Sequence, residues 1–247
     1  MSDRQEIARR HHPELDFGGF SDIDGTVRFY LRVQELLAPD AVALDIGCGR
    51  GAQIEDDVRV RRDLRVLRGR CARVIGIDVD PAAATNQFVD EFRMIGQDLR
   101  WPVDDTSVDL AVADFVVEHI AEPDHFFSEA ARVIRPGGVL CIRTVNANSY
   151  LGLASRLVPA RLHARVLGRL QPRRHAEDVF PTVYRANTVK TLRGLLERHG
   201  FDAAVYGAEA EPAYLGFSAL TYALGLAHGR LAPSRLRVGL FAWGRRR

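Results

Sequence analysis

The sequence predicts an α/β fold built on a doubly wound, mostly parallel sheet of seven strands. Three observations lead to this prediction. Short apolar runs alternate with segments of helical periodicity from residue 42 onward, the first run leads into a loop with glycines at positions 47, 49 and 51, and acidic residues follow the ends of several runs. Parallel strands need helical crossovers between them, so this alternation is typical of a sheet with helices on both faces.

The first part of the chain supplies five strands and the helices between them. A leading helix is expected before the first strand, because apolar residues recur at helical spacing up to Pro39. In chain order the pattern predicts a helix over 24–37, a strand over 42–46, a charged helix or loop over 53–68, a strand over 73–77, a helix over 82–92, strands over 93–97 and 108–113, a helix over 121–134 and a strand over 138–145.

The C-terminal part departs from this alternation. A helix is expected over 187–199, with Asn187 or Thr188 as its N-cap and Gly200 at its end. Strands are expected over 201–208 and 237–243, and we expect these two to pair antiparallel as a hairpin at the sheet edge. The apolar stretch 213–227 is too short to span a membrane, and a packed helix or lid is the preferred interpretation.

We expect one domain for the 247 residues, in four consecutive parts. They are an N-terminal covering helix within 1–40, a ligand-binding core over 41–146, an insertion over 147–186, and the C-terminal helix and strands over 187–247. Long insertions in compact domains usually cover active sites, so residues 147–186 are expected on the substrate side.

Composition limits the classes of function. A content of 47% hydrophobic and 27% charged residues is ordinary for a globular protein, and the net charge of +2 argues against a dedicated nucleic-acid coat. No secretory signal or membrane-spanning segment is recognisable, so we expect a cytoplasmic protein without stable membrane insertion. The three cysteines have no metal-ligand spacing and are expected to be small buried side chains.

The glycine loop indicates a cofactor site. Glycines allow a positive φ and the close approach of a ligand. The Gly-x-Gly-x-Gly spacing of 47–51 differs from the dinucleotide fingerprint, and no Gly-Lys-Ser/Thr follows to bind phosphates. In an open α/β sheet the ligand lies beyond the carboxyl ends of the strands, so the acidic residues that follow the strands should converge there. These residues are Asp45, Asp78, Asp98 and Asp114.

Four sequence blocks within residues 40–146 resemble class I S-adenosylmethionine-dependent methyltransferases of the bacterial small-molecule type. The blocks are LDIGCGRG, VIGIDVD, QDLRWPVDDTSVDLAVADFVVEHI and RVIRPGGVL. The resemblance implies a Rossmann-like fold, S-adenosylmethionine as the cofactor and S-adenosylhomocysteine as its product.

The resemblance also implies a role for individual residues. Asp45, Gly47, Cys48 and Gly49 should form the loop beneath the methionine part of the cofactor. Asp78 should hold the ribose hydroxyls, with Val79 packed on the adenine. Asp98 should meet the adenine amino group beside Leu99. Asp114 and Phe115 should line the methionine end and the transfer site. As a rival interpretation, Asp98 is only a turn residue before Trp101.

The expected reaction is in-line displacement of a methyl group by a small-molecule acceptor, on oxygen or nitrogen. Positioning and exclusion of water would supply much of the rate. His119 is the first candidate base, and packing on the sheet is its structural alternative. Asp114 and Tyr184 are further catalytic candidates. The expected substrate contacts are Tyr30, Arg143, Asn146, Tyr150 and His175.

Several alternatives remain open at this point. Arginines at helical spacing within the insertion suggest an anionic acceptor, although they are more often a solvated face. A metal is not expected, because Phe115 stands where relatives with a Glu-x-x-Glu-His run have their first glutamate. DNA is not expected, because residues 114–117 read Asp-Phe-Val-Val. A cofactor-binding regulatory or scaffolding subunit without turnover is one alternative, and an RNA or protein methyltransferase is another. A monomer or a homodimer is expected.

Overall fold

A computed structural model describes residues 3–157 and 181–247. Its described part is built on a seven-stranded sheet with the order β3-β2-β1-β4-β5-β7-β6. The strands are β1 (Val42–Ile46), β2 (Arg73–Asp78), β3 (Glu91–Met94), β4 (Val108–Asp114), β5 (Ile134–Val145), β6 (Phe201–Ala208) and β7 (Gly239–Arg246).

Helices cover both faces of this sheet. They are α1 (Asp3–His11), α2 (Gly25–Leu36), α3 (Arg59–Arg65), α4 (Pro123–Val133), α5 (Tyr150–Leu157), α6 (Val189–Arg198) and α7 (Ala219–Leu231). One buried cluster joins α4 and α6 to the sheet through Phe127 and Leu192. The cluster on the opposite face joins α2 and α3 through Phe29 and Leu64. Side chains alternate between the two faces along each strand, as a sheet buried on both sides requires.

The strand directions confirm the predicted mixed sheet. Strands β1 to β5 are parallel, and β7 is antiparallel to both of its neighbours, β5 and β6. Strand β6 therefore runs in the same direction as β5. The carboxyl end of β6 lies at the same sheet edge as the carboxyl ends of β1, β2 and β4. The connection from β6 to β7 contains α7, so the two strands are antiparallel neighbours without a tight hairpin turn.

The predicted helix over 82–92 is wrong. Only a short 3-10 turn forms, at Pro81–Thr85, and strand β3 follows. The amide of Asn86 donates to the Cys48 carbonyl at 2.8 Å, and the carboxylate of Asp90 accepts from the Val74 amide at 2.8 Å. These long-range bonds hold the segment against the glycine loop and β2, and this prevents the helix from continuing.

Other boundaries differ less. Strand β3 begins two residues before the predicted range 93–97 and ends within it, because Glu91 to Met94 pair with Ile75 to Asp78 of β2. Strand β5 begins at Ile134 instead of Gly138, and the Arg-Pro-Gly-Gly segment forms an irregularity in its pairing with β4. The charged region 53–68 divides into a 3-10 turn and α3. Strands β1 and β6 have the predicted boundaries.

The N-terminal helix meets the helix between β6 and β7 outside the sheet. Helix α1, which the sequence pattern did not predict, packs against α7 through His11 and Tyr222, whose ring centroids are 5.3 Å apart. The helix expected within 213–227 is α7, which begins at Ala219 and continues to Leu231. Among the described residues, no helix combines the length and apolarity needed to cross a bilayer. The four-part domain division stays an expectation.

Candidate active site

The glycine loop turns directly after β1. Gly47, Gly49 and Gly51 have φ values of 65°, 53° and 82°, in the left-handed region that glycine occupies without strain. A Cβ on Gly47 would lie 2.6 Å from Val116 Cγ2, so this position also requires close backbone packing. A Cβ on Gly49 would have no neighbour within 4 Å. The loop therefore borders open space at Gly49.

Asp78 and the glycine loop are joined directly. The Gly49 amide donates to Asp78 Oδ2 at 2.9 Å, and the Asp80 amide donates to Asp78 Oδ1 at 2.9 Å. The carboxylate is almost buried at the end of β2. Each carboxylate oxygen can accept more than one hydrogen bond, so both oxygens keep acceptor capacity for a ligand hydroxyl.

Asn86 supports the glycine loop through a hydrogen bond, and no pattern in the sequence indicated this role. Its side chain is buried, its amide donates to the Cys48 carbonyl, and its side-chain oxygen accepts from the Phe88 amide at 2.9 Å. Cys48 itself is buried against Gly76, where a Cβ would lie 2.8 Å from its sulfur. Burial raises the pKa of the Cys48 thiol, so the side chain is uncharged packing.

Asp45 lies at the end of β1 in a negative environment. Desolvation, followed by the nearby charges of Asp114 and Asp78, raises the pKa of Asp45 to about 7, although Arg65 opposes the shift. A positive ligand charge would remove this repulsion. The carboxyl group is therefore suited to a cation at this edge of the sheet.

Asp114 is held in a buried ion pair. Arg143 donates from Nε to Asp114 Oδ1 and from Nη2 to Asp114 Oδ2, both at 2.6 Å, while the Tyr30 hydroxyl donates to Oδ2 at 3.0 Å. Burial raises the pKa of Asp114, but the charge and hydrogen bonds of Arg143 outweigh it and hold the pKa below its ordinary value. Asp114 is thus ionised and a weak base, which argues against proton transfer by this residue.

The contacts of Arg143 argue against its predicted contact with a substrate, because its guanidinium already binds groups of the protein. Its Nη1 donates to the Thr26 hydroxyl at 2.8 Å, and its guanidinium carbon lies 4.8 Å from the centre of the Phe115 ring. The guanidinium is thus directed at Asp114, Thr26 and aromatic rings. We interpret Arg143 as the group that neutralises Asp114. Tyr30 reaches the site from α2, and burial and the Asp114 charge raise the pKa of its hydroxyl.

Three half-exposed apolar side chains follow the strand ends: Val79, Leu99 and Phe115. Leu99 and Phe115 have φ values of 57° and 56°, which are uncommon for residues with side chains. Such backbone strain clusters at ligand sites. Asp98 is exposed, and its carboxylate accepts from the Arg100 amide at 3.3 Å, a contact that a turn residue makes and that leaves its other oxygen exposed to a ligand.

His119 lies on the 3-10 turn Val117–His119, directly after β4. Its Nδ1 is 2.9 Å from the Pro181 carbonyl, which can only accept, so Nδ1 carries the proton. In the neutral ring Nε2 is then the basic nitrogen. Tyr184 is tied to the same turn, because its amide donates to the Glu118 carbonyl at 3.2 Å, and its φ is 51°.

A buried polar chain behind this turn was also missed. The Thr144 hydroxyl donates to Glu118 Oε2 at 2.7 Å, and the Asn187 amide donates to the Thr144 hydroxyl at 2.6 Å. All three side chains are buried. Glu118 and Thr144 follow or end neighbouring strands, so parallel pairing brings them together. These side-chain hydrogen bonds hold the turn that carries His119 in place.

The remaining predicted substrate residues separate into three cases. Asn146 is fully buried, and its amide donates to the Arg235 and Arg237 carbonyls at 2.9 and 2.8 Å, so it holds the approach to β7 instead of facing a substrate. Tyr150 packs against His228 of α7, with ring centroids 5.3 Å apart, and burial raises the pKa of its hydroxyl. His175 lies outside the described residues, as does most of the arginine-bearing insertion.

No group of three or more His, Cys, Asp or Glu side chains within 3–157 and 181–247 has the arrangement of a metal site. The expectation of a reaction without metal stays a prediction.

Comparison with known proteins gives a match over the core of the chain. Residues 44–142 match the sequence family described as a methyltransferase domain. A probable S-adenosylmethionine-dependent methyltransferase of Mycolicibacterium smegmatis is 35% identical over 110 residues, which cover 43% of this chain and 39% of that protein. A ubiquinone biosynthesis O-methyltransferase of Sinorhizobium medicae is 33% identical over 103 residues, which cover 42% of this chain and 40% of that protein. The chain thus spans well under half the length of these relatives.

Solved structures share the fold across most of the chain. A putative sarcosine dimethylglycine methyltransferase from Galdieria sulphuraria covers 99% of both chains, with a TM-score of 0.54 and 15% identity. Geranyl diphosphate C-methyltransferase from Streptomyces coelicolor covers 89% of this chain and 78% of its own, with a TM-score of 0.53 and 16% identity. The cyclase SpnF covers 89% of this chain and 81% of its own, with a TM-score of 0.52 and 18% identity. These likenesses concern the fold. The sequence match shows a methyltransferase domain over residues 44–142, which contain the glycine loop and most of strands β1 to β5.

Proposed function

We propose that this protein binds S-adenosylmethionine at the carboxyl edge of the sheet and transfers its methyl group to a small molecule. The contact between the Gly49 amide and the Asp78 carboxylate carries this proposal. It joins the loop after β1 to the acid after β2 beside open space, where an α/β sheet binds its ligand.

The chemistry of the surrounding residues fits the cofactor. Space for a ligand begins where a Cβ on Gly49 would stand. Asp78 offers spare acceptor capacity for the two ribose hydroxyls, and Val79, Leu99 and Phe115 offer exposed apolar surface for an adenine ring or a methionine chain. Asp45 offers a carboxyl group whose ionisation a cationic ligand would favour.

The bound cofactor would supply an activated methyl group on a positively charged sulfur. The task of the protein is then to hold the acceptor in line and to keep water away. The Asp114–Arg143 pair is suited to positioning, because both groups are rigidly hydrogen-bonded and neither is a good proton carrier at neutral pH.

For the acceptor we propose a hydroxyl group. The ubiquinone-biosynthesis relatives are named as O-methyltransferases, and attack by a hydroxyl benefits from a base. His119 supports this choice, because its Nδ1 proton is held by the Pro181 carbonyl and Nε2 is the basic nitrogen. Tyr150, the first residue of α5, stays our candidate for an acceptor contact.

The cofactor site is tested by isothermal titration of the full chain with S-adenosylmethionine. Asp78→Ala should lower affinity at least about 100-fold, since it removes charged acceptors worth roughly 1.5–3 kcal/mol each. Asp104→Ala is the control, because Asp104 is an exposed acid in the turn before β4. Equal affinity of the unaltered protein and Asp78→Ala would refute the assignment.

Methyl transfer is tested with label. The protein is incubated with methyl-labelled S-adenosylmethionine and a metabolite extract from the organism that encodes it, and the fractions are assayed for a labelled product. A product that depends on the protein supports turnover. Cofactor binding without a labelled product in any fraction would favour a regulatory subunit, or a reaction of another kind such as the cyclase with the same fold has.

A further inference from the structure

We propose that the outward face of α7 is a docking surface for an anionic lipid membrane. The face consists of Phe217, just before the helix, and Leu220, Leu224 and Leu231 on it, together called the leucine face. This inference goes beyond methyl transfer, and its test requires no turnover.

The leucine face is exposed in spite of its apolar character. Phe217, Leu220, Leu224 and Leu231 expose 64%, 70%, 60% and 83% of their surface. With 3.6 residues per turn, the three leucines fall within an arc of about 40° on the helix. A continuous exposed apolar stripe of this kind marks an interaction site more often than scattered single leucines do.

Opposite this stripe, α7 is packed against the protein. Tyr222 contacts the rings of His11 and His12 of α1. Gly225 lies where a Cβ would come within 2.5 Å of Pro212, and Gly229 lies beside Glu209. The inner face is therefore fixed to the protein, and the leucine face is directed outward.

The charge around the leucine face selects the partner. Residues 212–238 contain three arginines and one histidine but no aspartate or glutamate. Arg230 adjoins Leu231 on the helix, and Arg235 follows the helix within one short turn; both side chains are exposed. The two nearest acids before this segment lie on the inner side of α7, Glu209 beside Gly229 and Glu211 bound by the Ser21 hydroxyl. Outward leucines with flanking arginines are the pattern of a helix that lies in the interface of an anionic membrane.

Helix α7 lies near the carboxyl ends of the strands, so a membrane bound to the leucine face would be close to the proposed ligand site. The helix lies in the connection that leaves the carboxyl end of β6, the same sheet edge that carries Asp78 and Asp114. Arg28 of α2 donates to the Glu209 carbonyl at 3.4 Å, and Tyr150 of α5 packs on His228. Helix α7 therefore lies at the edge of the sheet where the proposed ligand site opens.

The test is co-sedimentation of the full chain with vesicles. One set contains phosphatidylcholine alone, and the other contains phosphatidylcholine with an equal share of phosphatidylglycerol. We expect binding to the phosphatidylglycerol vesicles at low salt and little binding to phosphatidylcholine. Leu220→Gln with Leu224→Gln should weaken binding about tenfold or more, because two leucines lose their apolar contact. Arg230→Gln with Arg235→Gln should weaken it about fivefold for each arginine removed.

Leu31→Gln is the matched control. Leu31 is a half-exposed leucine on α2, a helix of similar length, and its replacement should leave vesicle binding unchanged. Titration with S-adenosylmethionine should give the same affinity for the Leu220→Gln/Leu224→Gln protein as for the unaltered protein, which shows that the variant is folded and separates this result from the cofactor proposal.

Two results would overturn the proposal. They are no binding of the unaltered protein to phosphatidylglycerol vesicles, and equal binding by the Leu220→Gln/Leu224→Gln protein. If vesicle binding is absent and the unaltered protein is a dimer in sedimentation velocity that this variant converts to a monomer, the leucine face is instead an interface between copies of the chain.

Discussion

Arg143 and Asp114 are directly paired in the register of neighbouring strands β5 and β4, and their side chains form a buried ion pair with two N–O distances of 2.6 Å. Thr26 and Tyr30 of α2 bind the two partners from above. The ion pair therefore connects the centre of the sheet to the helix that covers it. Removing either charge should affect the packing of α2 as well as the sheet edge.

Arg143→Met should destabilise the protein by about 3–5 kcal/mol, because it leaves the buried Asp114 carboxylate without its counter-ion. Adding Asp114→Asn should recover part of this loss, since the charge is then removed. The measurement is chemical denaturation at neutral pH. Arg135→Gln is the matched control, because Arg135 pairs with Asp109 on the same two strands but is exposed, and its loss should cost at most about 1 kcal/mol.

The same pair predicts a pH dependence. Arg143 holds the pKa of Asp114 below its unfolded value, so the stabilisation is complete above about pH 4 and is lost as the pH falls further. The free energy of unfolding of the unaltered protein should fall towards acid more steeply than that of the Arg143→Met/Asp114→Asn protein. Parallel acid profiles would contradict this account.

Local sequence patterns predicted the parts of the fold that depend on local chemistry. The apolar runs at 42–46 and 201–208 gave the bounds of β1 and β6, and the glycine spacing indicated the loop that the φ values of Gly47, Gly49 and Gly51 confirm. Thr188 caps α6, one of two proposed caps.

Long-range contacts account for what the patterns missed. The helix over 82–92 fails because Asn86 binds the Cys48 carbonyl, 38 residues earlier. The pairing of Arg143 with Asp114, 29 residues away, depends on the register of β4 and β5, which no local pattern encodes. Helix α1 is polar and packs against α7, so its sequence lacks the helical spacing of apolar residues from which a helix could be predicted.

Gly49→Ala and Gly137→Ala should separate a binding role from backbone strain. Both glycines have positive φ, 53° and 85°, and at neither would a Cβ meet an atom within 4 Å. Each substitution should cost about 1–2 kcal/mol of stability. Only Gly49→Ala places its methyl group in the proposed cofactor space, so only this variant should lose S-adenosylmethionine affinity in titration. Equal affinities of the two variants would remove Gly49 from the site.

Asp45 should make stability fall as the pH rises. Desolvation and the charges of Asp114 and Asp78 raise the pKa of Asp45 to about 7, well above its unfolded value. The folded state therefore binds an extra proton between about pH 4 and 7, and the stability that this proton provides is lost across that window. Asp45→Asn should gain in Tm relative to the unaltered protein over this range, by about 2–4 °C for each kcal/mol.

Thermal unfolding between pH 4 and 8 measures this difference, with Asp104→Asn as the control at an exposed acid. The Tm of the control should follow that of the unaltered protein at every pH. A constant Tm difference between Asp45→Asn and the unaltered protein across the series would show that the carboxyl of Asp45 does not titrate in this window. Binding of cationic S-adenosylmethionine at pH 6 should also release a proton from Asp45, which titration in buffers of different ionisation enthalpy detects.

Thr144→Val should expose the role of the polar chain behind His119. The substitution keeps the side-chain shape but removes the hydroxyl that donates to Glu118 and accepts from Asn187, and both of these groups are buried. Leaving buried polar groups unsatisfied should cost about 1–3 kcal/mol for each group. Amide hydrogen exchange should rise at Val183 and Tyr184, whose amides donate to the Glu118 carbonyl. Thr144→Ser keeps the hydroxyl and should show neither effect; faster exchange at Val183 in that variant as well would trace the effect to lost packing of the Thr144 methyl group.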